Sequence, residues 1–244
     1  MDTPALEHGH SVEEIRRRLA TGPRSSYVRD WIYGGIDGAV TTFAVVAGVA
    51  GAELPVQTVL ILGAANLIAD GFSMAASNFS GTKAERDDYD RLAAVERKHV
   101  ALAPDGEREE IRQIFAAKGF SDAGLERVVA TITSSEPGWI QTMLAEEYGL
   151  ASARRSPWAA AATTFLAFLV CGLVPLLPYV LDGGLAASTA ATAVTFFSIG
   201  SAKSRWSTTV WWRSGLETFS IGMCAAALAF IVGFGLKSVV GLAA

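Results

Sequence analysis

Three carboxylates lie inside apolar segments of this 244-residue chain. Asp37, Asp70 and Glu217 are each the only charged residue in a long hydrophobic run. A carboxylate deep in a membrane-spanning helix costs at least about 2.5 kcal/mol, so each of the three needs a partner or a function.

Asp70 could belong to a metal site. It lies four residues after Asn66 and four before Met74, so a helix would align the three side chains in one row. Oxygen ligands alone suit Mg²⁺ or Ca²⁺, whereas a thioether favours a transition metal such as Fe²⁺. The row is equally typical of a polar contact between helices with Met74 as packing. Asp37 favours the metal site. Its neighbouring glycines allow the backbone of another helix to approach closely, so that a second carboxylate could face Asp37. A cation binding two such carboxylates would displace protons, which is the chemistry of metal/proton exchange.

Residues 83–155 contain further candidate ligands in pairs three or four residues apart, and each pair would share one face of a helix. The pairs are Glu96 with His99, Glu107 with Glu110, and Met143 with Glu147. Carboxylate, imidazole and thioether together suit Fe²⁺, Mn²⁺ or Zn²⁺. Taken singly, each pair is more often a solvated charged face. Glu-x-x-His occurs once, whereas a ferritin-like di-iron bundle needs it twice, so the pattern excludes a ferroxidase of that kind.

Membrane helices must position the first group of residues. Hydrophobic residues make up 51% of the chain and charged residues 18%, with a mean hydropathy of +0.34. These values exclude a disordered chain and a secreted disulfide scaffold, and the net charge of -4 argues against nucleic-acid binding. Five segments are apolar and long enough to span a bilayer: residues 31–52, 54–82, 158–181, 185–202 and 214–236.

The prediction is an all-α membrane protein in four parts. Residues 1–30 form an N-terminal segment with an amphipathic helix, 31–82 two spans, 83–155 a helical metal-binding insert, and 156–244 three spans. Every lysine and arginine except Lys237 lies in residues 1–30, 83–155 or 203–213. By the positive-inside rule, the N-terminus and the insert are cytoplasmic and the C-terminus is on the opposite side.

Several stretches support a family assignment. They are DWIYGGIDGAVTTFAVVAGVAGA at 30–52, ANLIADGFSMAASNFSGTKAE at 65–85, RSGLETFSIG at 213–222, and KGFSD and WIQTMLAEEYGL in the insert. Together they resemble the vacuolar iron transporter family, in its bacterial, nodulin-21-like branch, over nearly the whole chain from Asp30 onward. The resemblance implies a five-span homodimer that moves Fe²⁺ or Mn²⁺ out of the cytosol in exchange for protons. Its metal path would follow the first two spans, with the insert collecting metal.

The resemblance also implies roles for individual residues. Asp37 matches the family's first-span metal-binding aspartate and Met74 its second-span methionine. Asn66 stands where many members have a glutamate, and we expect Asp70, one turn on, to replace the missing charge.

In the insert, the resemblance places metal-binding positions at Glu96, Glu107, Glu110, Met143 and Glu147. His99 stands where a glutamate is usual and Leu144 where a second methionine is usual, so the site is expected to be weaker or differently selective. Glu217 matches no binding residue, and a structural role between helices is expected for it.

The resulting hypothesis is a dimeric transporter that exports Fe²⁺, with Mn²⁺ as a second candidate cargo. It is not an enzyme, has no prosthetic group, binds no nucleic acid, and interacts with metal ions, protons and the lipid bilayer. A short chain with Ala- and Gly-rich spans and no targeting extension predicts a bacterial inner membrane. Two alternatives stay open: an iron-responsive membrane protein that does not transport, and an assembly protein whose intramembrane polar residues only join helices.

Overall fold

The computed structural model describes residues 9–22, 25–150 and 155–239. These ranges contain helices and no strand, which confirms the all-α prediction. In chain order the helices are α1 (Val12–Thr21), α2 (Val28–Gly51), α3 (Val56–Leu102), α4 (Pro104–Ala117), α5 (Asp122–Ile132), α6 (Glu136–Glu146), α7 (Pro157–Leu173), α8 (Leu177–Val180), α9 (Gly184–Lys203) and α10 (Trp211–Val239).

The chain forms two compact units. The first, here the membrane unit, comprises Tyr27–Thr82 and Ser156–Ala244, and the second, the insert unit, comprises Met1–Ser26 and Lys83–Arg155. The boundary between Thr82 and Lys83 falls within α3, so this one helix contributes to both units.

Four helices in the described part of the chain are long and apolar enough to cross a membrane: α2, α3, α9 together with the 3₁₀ turn Ser204–Trp206 that follows it, and α10 as far as Lys237. Their outer faces carry large apolar side chains, among them Ile61, Phe72 and Leu228, each more than 60% exposed. A continuous apolar exterior of this kind is suited to lipid and not to water. The chain is therefore an integral membrane protein.

The predicted third span is not one continuous helix. Within residues 158–181, α7 ends at Leu173 and the short α8 begins at Leu177. The helix breaks within this segment because Pro175 has no backbone N–H and its ring opposes continuation of the preceding turn. The Val174 N–H instead donates to the carbonyl of Cys171, three residues back. At 17 residues α7 is about 25 Å long.

The predicted second span, in contrast, continues well beyond its expected end. Helix α3 is 47 residues long and extends through Leu102. Neither glycine nor proline occurs between Gly81 and Pro104, and ion pairs one turn apart, such as Lys83 with Asp87, support the helix in its charged half. The helix ends shortly before Pro104, since a residue that precedes proline disfavours the α conformation.

The insert unit has its own small core. Ile111 of α4, Val129 of α5, and Trp139 and Met143 of α6 form a buried apolar cluster. At the N-terminal end of this unit, α1 begins with a capping box between Ser11 and Glu14, and none of its residues is buried.

Candidate metal sites

Three potential ligands converge in the insert unit, and we call Glu96, His99 and Glu107 the insert cluster. Their ligand atoms all lie within 4.8 Å of one another. Glu96 and His99 are one turn apart near the end of α3, and Glu107 lies in the first turn of α4. The His99 Nδ1 is 3.4 Å from Glu107 Oε1 and 3.9 Å from Glu96 Oε1.

Both carboxylates of the insert cluster are buried while the imidazole is accessible. The side chains of Glu96 and Glu107 are 1% and 6% exposed, against 50% for His99. In each glutamate, Oε2 is buried and finds no hydrogen-bond partner among the described residues. Unpaired carboxylate oxygens at this depth are costly, so a cation or a proton is needed to stabilise them.

Electrostatics within the insert cluster favour uptake of a proton when no cation is bound. Burial, together with the nearby charges of Glu110 and Glu96, raises the pKa of the Glu107 carboxyl group to about 7. Burial also raises the pKa of Glu147, and the charges of Glu96 and Glu110 contribute to that shift. A divalent cation in the cluster would reverse this effect by displacing the proton from the Glu107 carboxyl group.

The other predicted insert ligands surround the cluster in different ways. Glu110 and Glu147 are exposed; the charge of Glu110 acts on the Glu107 carboxyl group, and the charge of Glu96 acts on that of Glu147. Met143 is fully buried in the apolar core with Ile111 and Trp139. The structure therefore brings Glu96, His99 and Glu107 into direct proximity and leaves Met143 among hydrophobic side chains.

Tyr148 belongs to this site, although the sequence did not single it out. Its hydroxyl donates a hydrogen bond of 2.9 Å to Glu96 Oε1. Burial and this bond raise the pKa of the Tyr148 phenol, so it remains a protonated donor. Its only signal in the sequence is a position next to Glu147, and such a neighbour is too common to identify a site.

In the membrane unit, the predicted residues lie on α2 and α3. Asp37 on α2 is half-buried. Asn66, Asp70 and Met74 on α3 are also half-buried, and we call these three residues the polar row. The Asp37 and Asp70 carboxylates are close enough for their charges to repel each other. The Nδ2 of Asn66 is buried and has no hydrogen-bond partner in the part of the chain that the structure describes.

The glycines around Asp37 fit against α7. A Cβ atom added at Gly34 would lie 2.4 Å from the Thr164 carbonyl oxygen, and one at Gly38 would lie 2.3 Å from that of Phe168. Real side chains do not approach so closely, so glycine is required at both positions. Around Asp37, the backbone that approaches the first span closely is thus that of α7, which helps to fix the position of the helix bearing Asp37.

Glu217 lies apart from these residues. It is the seventh residue of α10, and its carboxylate is 3.7 Å from the ammonium of Lys203, the last residue of α9. The pair joins two neighbouring helices near their connection.

Comparison with known proteins gives consistent matches over most of the chain. The VIT family model matches residues 28–234. Vacuolar iron transporter 2 of Oryza sativa subsp. japonica is 34% identical over 208 residues, covering 83% of this chain and 85% of the relative. The vacuolar iron transporter of Toxoplasma gondii (strain ATCC 50861 / VEG) is 31% identical over 260 residues, covering 98% of this chain and 86% of the relative. Vacuolar iron transporter 1 of Arabidopsis thaliana is 32% identical over 208 residues, covering 83% of each chain.

Proposed function

Because the chain belongs to the VIT family, we propose that it exports Fe²⁺, with Mn²⁺ as a second cargo, from the cytosol in exchange for protons. Its relatives are named iron transporters, and family membership makes the chain a metal-ion transporter and not an enzyme. The observation that supports the iron cargo best is the insert cluster, where two buried carboxylates and an accessible imidazole converge.

The insert cluster is the site where we propose that the metal is collected. The unpartnered Oε2 atoms of Glu96 and Glu107 would gain a cation as their counter-charge. An imidazole ligand disfavours Mg²⁺ and Ca²⁺ and suits Fe²⁺, Mn²⁺ or Zn²⁺. In this proposal, Glu110 and Glu147 attract the cation and complete its coordination, and Met143 supplies a soft ligand after a change of its rotamer.

The polar row and Asp37 form the proposed path through the membrane. The repulsion between Asp37 and Asp70 is relieved by a bound cation or by protons. Occupation by one excludes the other, and this competition is the physical basis of exchange. Met74 adds a thioether that favours Fe²⁺ over Mg²⁺, and Asn66 adds an amide oxygen without charge.

We propose five membrane spans, with α7 and α8 together crossing the bilayer once. The N-terminus and the insert are then cytoplasmic, as the distribution of lysine and arginine favours, and the C-terminus is on the other side. The Ala- and Gly-rich helices support the inner membrane of a bacterium as its location.

We propose that two copies form the working transporter. Asn66, Asp70 and Met74 are only half-buried in one chain. A carboxylate does not face lipid without a large free-energy cost, so another surface must cover this side of α3. A second copy that contributes the same face would place its own polar row beside the first.

The test is Fe²⁺ uptake into sealed proteoliposomes that contain an iron-quenched dye, with protein-free liposomes as the control. The proposal predicts uptake that depends on the protein and saturates with Fe²⁺. Metal binding without uptake, with the protein inserted in both orientations, would contradict transport and favour the iron-responsive alternative. Neither binding nor uptake would favour the structural alternative.

A further inference from the structure

A buried polar contact lies near the start of α2, separate from the residues of the metal path. Asp30 is 2% exposed, and its Oδ1 accepts a hydrogen bond of 2.9 Å from Asn78 Nδ2. The same nitrogen lies 2.7 Å from Thr164 Oγ1 and 3.3 Å from the carbonyl oxygen of Ala160. Thr82 donates to Asn78 Oδ1 at 3.4 Å. One amide group therefore joins α2, α3 and α7.

This contact lies about two helical turns from the carboxylates of the proposed path. Asp30 precedes Asp37 by seven residues on α2, which is about 10.5 Å along the same helix face. Asn78 follows Asp70 by eight residues on α3, or about 12 Å. A connection of a few residues joins α2 to α3, so the two helices run antiparallel. Asp30 with Asn78 and Asp37 with Asp70 follow each other in the order that this arrangement requires.

The geometry makes this contact sensitive to the register of the two helices. A shift of α3 by one residue moves Asn78 about 1.5 Å along the helix axis and turns it by about 100°, which carries its amide away from Asp30 and breaks the hydrogen bond of 2.9 Å. Buried carboxylates are retained where they are hydrogen-bonded, so the Asp30 side chain favours the one register in which Asn78 reaches it. The same register brings Asp37 and Asp70 close enough to interact.

We propose that Asp30 is a positioning residue for metal transport. Its hydrogen bond with Asn78 holds α2 and α3 in the register that places Asp37 near Asp70, and Asp30 acts as a hydrogen-bond acceptor and not as a metal ligand. One N–H of the Asn78 amide is directed at Asp30 Oδ1, so a donor already engages this oxygen of the carboxylate. This inference rests on the function proposed above.

Two substitutions at Asp30 separate its acceptor role from its charge. Asp30→Asn removes the charge and keeps a side-chain oxygen that can accept from Asn78, whereas Asp30→Ala removes the acceptor. In Fe²⁺ uptake by proteoliposomes, we expect Asp30→Ala and Asn78→Leu to raise the half-saturating Fe²⁺ concentration about tenfold, because the path ligands lose their alignment. We expect the half-saturating Fe²⁺ concentration of Asp30→Asn to stay within about twofold of wild type.

A matched pair of threonine variants provides the control. Thr164→Val removes a hydroxyl that contacts the Asn78 amide. Thr192 is as deeply buried, but its hydroxyl donates to the Ser188 carbonyl within α9. We expect Thr164→Val to raise the half-saturating concentration and Thr192→Val to leave it unchanged. A merely structural role would lower the maximal rate by reducing the amount of folded protein and would not move this concentration.

The outcomes distinguish this inference from the proposed function. If Asp30→Asn is as impaired as Asp30→Ala, Asp30 acts through its charge and the positioning role is wrong. An unchanged half-saturating concentration in Asp30→Ala, with normal wild-type uptake, overturns the inference and leaves the proposed function intact. If Asp30→Ala does not fold, the other two variants decide. An impaired Asp30→Asn, or a Thr164→Val with an unchanged half-saturating concentration, overturns the inference. A wild type without uptake contradicts the proposed function and this inference with it.

Discussion

The Nδ1 of His99 lies 3.4 Å from Oε1 of Glu107, across the junction of α3 and α4. Only Ala103 separates the two helices, so the chain reverses with almost no intervening loop. The first turn of α4 therefore comes to lie beside the last two turns of α3, where Glu96 and His99 are located. Local chain geometry therefore brings Glu107 to Glu96 and His99, and Tyr148 adds a contact from farther along the chain.

Removing the charge of Glu107 should weaken metal binding to the insert. We expect Glu107→Gln to lower Mn²⁺ affinity at least about tenfold, because the amide supplies no negative charge to the buried site. Titration calorimetry of the purified full chain measures this effect. Glu109→Gln is the matched control, since Glu109 lies on the same helix, is exposed and pairs with Arg112. Equal affinities in the two variants would exclude Glu107 as a ligand.

Metal binding should strengthen as pH rises through neutrality. With its pKa raised to about 7, the Glu107 carboxyl group is protonated below that pH, and a cation must displace the proton. The groups that face it are Glu96, His99 and Glu110. We expect affinity to increase about tenfold per pH unit below pH 7 and to level off above it, with about one proton released at pH 6. Calorimetry in buffers of different ionisation enthalpy counts the protons. Affinity independent of pH between about 5.5 and 7 would contradict this prediction.

Tyr148 should tune the site without binding the metal. Its hydroxyl donates to Glu96 Oε1, so Tyr148→Phe leaves that buried oxygen without this donor and free to rotate. Loss of such a supporting hydrogen bond typically costs about tenfold or more in metal affinity. Tyr33→Phe, at an exposed position of the membrane unit, is the control. A Tyr148→Phe variant with wild-type affinity in the calorimetric titration would show that the bond has no role in binding.

The carboxylate of Asp70 should substitute for the acid that is missing at Asn66. We expect Asp70→Asn to reduce Fe²⁺ uptake at least about tenfold, since Asp37 then lacks a second charge with which to hold the cation. Adding Asn66→Glu one turn away should restore part of the uptake. If the double variant is as inactive as Asp70→Asn although it is folded, the two positions are not equivalent.

Much of the helical architecture was predictable because membrane helices are marked by the absence of charge. The first, fourth and fifth apolar segments correspond closely to α2, α9 and α10. The differences occur where local chemistry overrides hydropathy: Pro175 interrupts an apolar run, and α3 continues past Thr82 because nothing in the charged sequence stops it.

The site was predictable only where its residues share a helix. A spacing of three placed Glu96 and His99 on one face, and both lie on α3. The proximity of Glu107 depends on the turn at Ala103, and the contact of Tyr148 with Glu96 joins residues far apart in sequence. Asp30 was missed for a related reason: it lies beside Arg29 at the polar edge of a span, where the sequence gives no sign that it is buried.

Metal/proton exchange is tested by following Fe²⁺ and protons together in sealed proteoliposomes, with an iron dye and a pH dye inside. Asp37→Asn is compared with Asp182→Asn, which changes an exposed aspartate after α8. We expect Fe²⁺ uptake with opposing proton movement in wild type and Asp182→Asn, and the loss of both in Asp37→Asn. Undiminished uptake in a folded Asp37→Asn variant, or uptake without proton movement, would contradict metal/proton exchange through the first membrane helix.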